Sequence, residues 1–391
     1  MSTDASRPRI SRAAGRFTES VIREMSRICR REGGINLAQG FPDFPAPAPM
    51  KEAAKRAIDA DVNQYAVTFG APDLRAAIAD RTGAARQGKV DAEQEITVCC
   101  GATEAMIAAL LAVTDPGDEV VIFEPFYENY GPDCILSGAT PKFVRLRGSE
   151  LTIDPAELRA AFGPRARAVL VNTPHNPTGK VFSRGELELI AGLCLEFDAY
   201  AITDEIYEEI LYDGAEHIPL ASLPDMTDRT ITISGLSKTW SATGWRIGWA
   251  VAPPDLTGGI RKVHDFLTVG AAAPLQEAAA EALRFDRSYF DDLRSGYARR
   301  RDLMLGALDR VGLRTVRPSG AYYVMADLTG FTDLDDVAFA QQLVAGGGVA
   351  CVPGSSFFAE SAEGRNWIRF CFAKREETLQ AAADRLVERL G

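Results

Sequence analysis

The sequence predicts an α/β fold: a mainly parallel sheet of seven strands in a large domain, followed by a smaller α+β domain. Three observations predict it. Seven apolar runs rich in β-branched residues recur between residues 96 and 252, helix-length segments opened by Ser or Thr lie between several of them, and after about Arg284 the pattern changes. Strands that alternate with helices pack as a parallel sheet covered on both faces, and such sheets hold ligands at the carboxyl ends of their strands. The residues just after each run are therefore the place to look for function.

Residues 1–50 read as an arm: a helix-like stretch at 19–30, then a segment in which Pro42, Pro45, Pro47 and Pro49 force an extended path. Residues 51–285 form the large domain, with its runs at 96–100, 119–123, 142–145, 168–172, 200–203, 230–234 and 247–252. Between them, 103–113 and 183–196 have helical spacing behind Thr103 and Ser183, each able to cap a first turn. Residues 286–391 form the small domain: an Arg-rich amphipathic segment at 288–311, strand-like runs at 321–327, 349–352 and 367–373, and a closing helix at 374–390. No internal repeat or low-complexity tract is present.

A chain of 391 residues has room for two or three domains, and its formal charge of −11 offers no overall basic field to hold nucleic acid or anionic lipid. No apolar run approaches the ~20 residues of a membrane span. Residues 1–12 are polar and Arg-bearing, so neither a signal peptide nor an anchor is expected, and the cytoplasm is the default location. Seven cysteines without a repeating C-x-x-C pair, Cys99, Cys100, Cys194, Cys351 and Cys371 among them in apolar surroundings, read as reduced core thiols. His175, His217 and His264 form no metal-binding pairing in sequence, so no metal is expected and the chemistry calls for an organic cofactor.

Lysine is scarce, with eight residues against thirty-five arginines, so its placement is informative. Lys238 follows an apolar run inside Ser234-Gly-Leu-Ser-Lys-Thr-Trp-Ser-Ala-Thr-Gly-Trp-Arg246-Ile-Gly248, a small-residue loop at a strand's carboxyl end. A desolvated amine there stays nucleophilic and suits Schiff-base chemistry, and Arg246 supplies a permanent cation for a phosphate. An isolated lysine in a Gly/Ser turn would read as a surface residue; within this string it does not. Gly179-Lys180 lacks the rest of a phosphate loop, and neither a Gly-x-Ser-x-Gly elbow nor a Gly-x-Gly-x-x-Gly turn is present, which removes nucleotide hydrolysis, acyl transfer and nicotinamide chemistry.

The string, with Lys238, Ser241, Gly244 and Arg246 at fixed spacing, resembles the pyridoxal-phosphate attachment signature of class I and II aminotransferases. From about Glu19 onward the whole chain is similar to fold type I aminotransferases, and most to the branch of kynurenine, methionine and glutamine transaminases. The resemblance implies pyridoxal 5'-phosphate bound to Lys238, a protonated ring nitrogen held by Asp204 in Thr203-Asp-Glu-Ile-Tyr207, and Tyr207 and Asn176 at the phenolate oxygen. It implies phosphate binding by Gly101, Ala102 and Thr103 at a helix start and a stacking ring at Tyr127, with Phe126 the alternative. Gly235 departs from relatives that carry a phosphate-binding hydroxyl there, and Ser237 is the expected substitute. Arg369, in an otherwise apolar run, matches the arginine for the substrate α-carboxylate, and Gly40 the segment that closes over the substrate. Tyr65 matches a tyrosine that reaches the neighbouring subunit's phosphate, which implies a homodimer with shared sites.

The expected function is transfer of the α-amino group of a neutral, sulfur-containing or aromatic L-amino acid to a 2-oxo acid by a ping-pong mechanism. The alternatives are β-elimination or C–S lysis on the same site and, remotely, a non-catalytic sensor of the cofactor. The segment 267–276 is small and smooth where relatives carry aromatics, so an aromatic preference is not implied, and no second arginine marks a dicarboxylate specialist.

Overall fold

The computed structural model describes residues 10–391. The first nine residues of the polar amino-terminal stretch lie outside the described residues. Fourteen strands are described: β1 (Ile35–Asn36), β2 (Ile96–Cys99), β3 (Glu119–Glu124), β4 (Thr140–Arg147), β5 (Thr152–Ile153), β6 (Ala166–Asn172), β7 (Tyr200–Asp204), β8 (Thr230–Gly235), β9 (Gly248–Val251), β10 (Arg314–Val316), β11 (Tyr323–Asp327), β12 (Val349–Ala350), β13 (Val352–Pro353) and β14 (Trp367–Cys371).

The large sheet runs β2-β9-β8-β7-β6-β3-β4-β5, eight strands rather than the seven expected. The extra one, β5, is a two-residue antiparallel addition at the edge, too short to show any period in sequence. Pairs β3/β4, β3/β6, β6/β7 and β7/β8 are parallel. Strand β9 lies antiparallel between β2 and β8, so β2 points the same way as the parallel strands and its carboxyl end shares their edge.

Both faces are covered, which is why the strands read as continuous apolar runs. Val120 and Ile122 point to one face, beneath the helices Ala102–Val113 and Pro254–Thr268. Val121 and Phe123 point to the other, with the helix Arg184–Phe197. Each such fully buried Val or Ile contributes roughly 1.5–3 kcal/mol. The helix Arg184–Phe197 starts at a capping box between Ser183 and Glu186, as its sequence suggests. Thr103 does not cap its helix. That helix begins at Ala102 behind Gly101, with no side-chain cap.

The remaining strands form β10-β11-β14-β13 and the pair β1-β12. The expected strand at 349–352 is thus two short strands in different sheets. The arm after the helix Val21–Glu32 is woven into this region: β1 pairs with β12, and the Cys371 N–H donates to Leu37 O at 2.7 Å. Lys374, buried, donates to the carbonyls of Gln39 (3.2 Å) and Phe41 (2.7 Å), which fixes the backbone around Gly40 over the edge of the large sheet. Among the described residues no helix is long and apolar enough to cross a membrane.

Candidate active site

Register places the site. Asn172 ends β6 opposite Asp204, which ends β7; Gly235 ends β8 opposite Gly248 of β9, and Gly248 also faces Cys99 of β2. The loops that leave this edge enclose a cavity of about 460 Å³, lined in part by Ser237, Lys238, Asp204, Tyr207, Arg246 and Arg369. Residues from the arm, the large sheet and the carboxyl-terminal sheet therefore meet in one place.

Lys238 is half-buried at the centre. Its Nζ donates to Gly40 O at 3.1 Å and lies 5.7 Å from the ring centres of Tyr207 and Tyr322. Desolvation by these surroundings lowers its pKa to about 8; nearby Cys371 and Asp204 hold it up, while Arg369 and Arg246 push it down further. Gly40 packs closely against the Tyr323 side chain. A Cβ there would lie 2.0 Å from the Tyr323 hydroxyl, and its carbonyl also accepts from Tyr322 at 3.0 Å.

One end of the cavity is built for an anion. The first bonds of the helix Ala102–Val113 come from the N–H groups of Glu104 and Ala105 to Gly101 O, so the N–H groups of Ala102 and Thr103 precede the helical ladder and face the pocket's edge. Arg246 lies against them: a Cβ on Gly101 would stand 2.4 Å from its Nη2, and Gly101 has φ +88°, open to glycine at low cost. Gly248 allows the same closeness, since a Cβ on it would stand 2.4 Å from Ala102 N. Gly235 is held to glycine by the neighbouring strand, its added Cβ meeting Gly248 Cα and Ile247 O at 2.9 Å, so a larger residue does not fit here. Ser237, buried, lines the same end.

The other end carries a buried acid. Asp204 accepts from the Tyr130 hydroxyl at 2.7 Å and from Ile206 N–H at 3.3 Å. Burial pushes its pKa up, against Tyr130, Ile206 and Lys238, which pull it down. No α-helix follows it, so a capping role is excluded. Asn172 donates to Asp204 O at 2.9 Å and accepts from Asn176 N–H at 2.7 Å, which sets Asn176 beside Asp204. Arg369 is wholly buried without a carboxylate: Nη1 donates to Asn176 Oδ1 and Nη2 to Ala38 O, both at 2.8 Å, and Nε has no partner. A buried guanidinium in that state awaits an anion. Tyr207 bonds the Tyr323 hydroxyl at 3.0 Å. Tyr127 lines the pocket, edge-on to Tyr130, whereas Phe126 stacks on Phe143 away from it.

Tyr65 is not brought to the site of its own chain; it is 86% exposed. Sequence reasoning missed Tyr130, Tyr322, Tyr323 and Asp133, a buried carboxyl on the pocket wall whose pKa desolvation raises to about 7. It also missed a third arginine at the pocket beside Arg246 and Arg369, Arg23, which shares the wall with Glu128.

A family model described as aminotransferase class I and II matches residues 32–386. The chain is 37% identical to kynurenine–oxoglutarate transaminase 1 of Homo sapiens, over 93% of this chain and 94% of that protein. It is 36% identical to the methionine aminotransferase of Escherichia coli (strain K12), over 94% and 95%. The solved structure of N-succinyldiaminopimelate aminotransferase from Mycobacterium tuberculosis superposes with a TM-score of 0.94 at 39% identity, covering 97% of this chain and 100% of that one.

Proposed function

Because the chain belongs to the class I and II aminotransferase family and is a pyridoxal 5'-phosphate-dependent aminotransferase of fold type I, we propose that its pocket handles neutral, sulfur-containing and aromatic amino donors, with the roles below assigned to its own side chains. The residues present fit the cofactor. The cavity has an anion cup at one end, a buried acid at the other and an amine of lowered pKa between them. When bound, the cofactor supplies an electrophilic aldehyde and a ring that accepts electrons.

Lys238 is the proposed attachment residue and base: its Nζ would take the proton from the donor's Cα and hand it to the cofactor's aldehyde carbon, and would move a proton the opposite way when an oxo acid accepts the amino group. Asp204 is proposed to hold the positive ring nitrogen, and its burial makes that charge pairing strong. Tyr207 and Asn176 are proposed donors to the phenolate oxygen, and Tyr127 the stacking ring. Gly101, Ala102, Thr103, Ser237 and Arg246 are the proposed phosphate cradle. Arg369 is proposed to bind the α-carboxylate, and Gly40 to close over the substrate. The observation that carries this reading is Arg369: a fully buried guanidinium with an unpartnered Nε, in one cavity with a low-pKa lysine.

Breadth toward the donor is supported by the names of two relatives, a kynurenine–oxoglutarate transaminase and a methionine aminotransferase. A homodimer with Tyr65 serving the partner's phosphate is supported by exposed Tyr65 and Phe266, at 86% and 92%, beside exposed Val67, Leu267 and Val269. The proposed division into residues 1–50, 51–285 and 286–391 is supported by the eight-stranded sheet, whose strands all fall within 51–285, and the four-stranded sheet, whose strands all fall within 286–391. The cytoplasm is the proposed location, supported by seven free cysteines.

The test follows the cofactor's absorbance in each half-reaction across a panel of amino acids, with and without an oxo acid. Amino-group transfer to the added oxo acid from neutral, sulfur-containing and aromatic donors is expected. Pyruvate and ammonia released without an oxo acid would instead favour β-elimination, and transamination retained in Lys238→Ala would refute the assignment of the base.

A further inference from the structure

Behind the anion cup lies a buried ion pair that none of the roles above uses. Glu104 stands in the first turn of the helix Ala102–Val113. Its Oε2 accepts the Cys100 N–H at 2.6 Å, and its Oε1 lies 2.7 Å from Nδ1 of His264. His264, with no exposed surface, comes from the helix Pro254–Thr268, and its Nε2 lies 2.8 Å from the carbonyl oxygen of Thr68, three residues beyond Tyr65.

The two partners decide the state of the ring. Thr68 O can only accept, so Nε2 carries a hydrogen; a carboxylate also accepts, so Nδ1 carries the second and His264 is an imidazolium. Burial opposes that charge, and Glu104, the Thr68 carbonyl and nearby Asp265 favour it, with the balance toward a raised pKa. The other groups facing the pair are the Thr268 hydroxyl, 3.3 Å from Nδ1, and the Cys99 thiol, which burial keeps protonated. The pair is therefore net neutral. Without the imidazolium, Glu104 would place an uncompensated negative charge in the first turn of the very helix that receives a phosphate dianion. Without Glu104, the Cys100 N–H loses its anchor just ahead of Gly101, and the direction of the Ala102 and Thr103 N–H groups is no longer set.

We propose that Glu104 and His264 are positioning residues that set the affinity of the cup for the cofactor's phosphate and tie it to the backbone segment carrying Tyr65. The inference rests on the cofactor reading above. It is tested on the full-length protein, stripped of cofactor and titrated by absorbance with pyridoxal phosphate and, separately, with pyridoxal, which has the ring and aldehyde but no phosphate. His264→Gln should weaken pyridoxal phosphate about tenfold or more, the scale of a lost charge-assisted hydrogen bond, and leave pyridoxal unchanged. Glu104→Ala should show the same phosphate-selective loss and carries the test should His264→Gln not fold. The double variant should lose no more than the weaker single one, because the two act as a unit. Unchanged pyridoxal phosphate affinity, or equal weakening of both compounds as a merely structural role would give, overturns the proposal. A wild-type protein that binds neither compound at Lys238 overturns the cofactor reading itself, and this inference with it.

Discussion

An amine that titrates near pH 8 captures an aldehyde at neutral pH far faster than an ordinary lysine. Lys238 is lowered from 10.5 to about 8 chiefly by desolvation. At pH 7 about one amine in eleven is then neutral, against roughly one in three thousand for an unperturbed side chain, a gain of about 300-fold in nucleophile. The assay is stopped-flow absorbance of Schiff-base formation after mixing pyridoxal phosphate with full-length protein stripped of cofactor, from pH 6 to pH 10. The rate should climb about tenfold per pH unit and level off near pH 8 as the amine loses its proton. The neighbours give the sign of two variants: Asp204→Asn removes an anion that favours the ammonium and should move the plateau to lower pH, and Arg369→Gln removes a cation and should move it higher. A rate still climbing steeply past pH 9 in the wild type would show that Lys238 is solvated like a surface lysine and would refute the reasoning.

Further outcomes follow from the same geometry. Arg369→Gln should raise KM for amino and oxo acids by about 100-fold, the worth of two charge-assisted hydrogen bonds to a carboxylate, in steady-state kinetics with the cofactor still bound. Asp204→Asn should lower kcat by about 10²–10³-fold, as removal of one preorganised charge does elsewhere, while the protein retains its chromophore. Asp133 has a folded-state pKa raised from 3.8 to about 7, so it costs stability where it is ionised in both states, above pH 7, and that cost fades as pH falls from 7 toward 4. Asp133→Asn should therefore raise Tm at pH 8, with the gain shrinking toward pH 5; an equal shift at both pH values would contradict the burial of that carboxyl.

What the sequence made legible was local. Lys238, Ser241, Gly244 and Arg246 lie within nine residues, so their spacing is legible, while Asp204, at the close of an apolar run, took its expected role from the family resemblance. The parallel strands were legible for the same reason: buried on both faces, they are apolar without interruption. The rest depends on chain segments far apart. Tyr130 reaches Asp204 across 74 residues, Tyr323 reaches Tyr207 across 116, and Lys374 holds the Gly40 backbone across more than 330. Gly248 has no local motif; its need for glycine comes from Ala102, brought alongside by β2. Thr103 looked like a cap because Ser and Thr usually serve as one, but Gly101 leaves those first N–H groups free for a ligand. Two-residue strands such as β5 and β12 exist only through their partners and leave no period to read.

The account turns on one covalent attachment. Holoenzyme reduced with borohydride and digested should yield a single phosphopyridoxyl-labelled peptide, with the label on Lys238, and Lys238→Ala should yield none. A label on Lys180 or Lys374 instead, or a labelled Lys238→Ala variant that still transaminates, would contradict it.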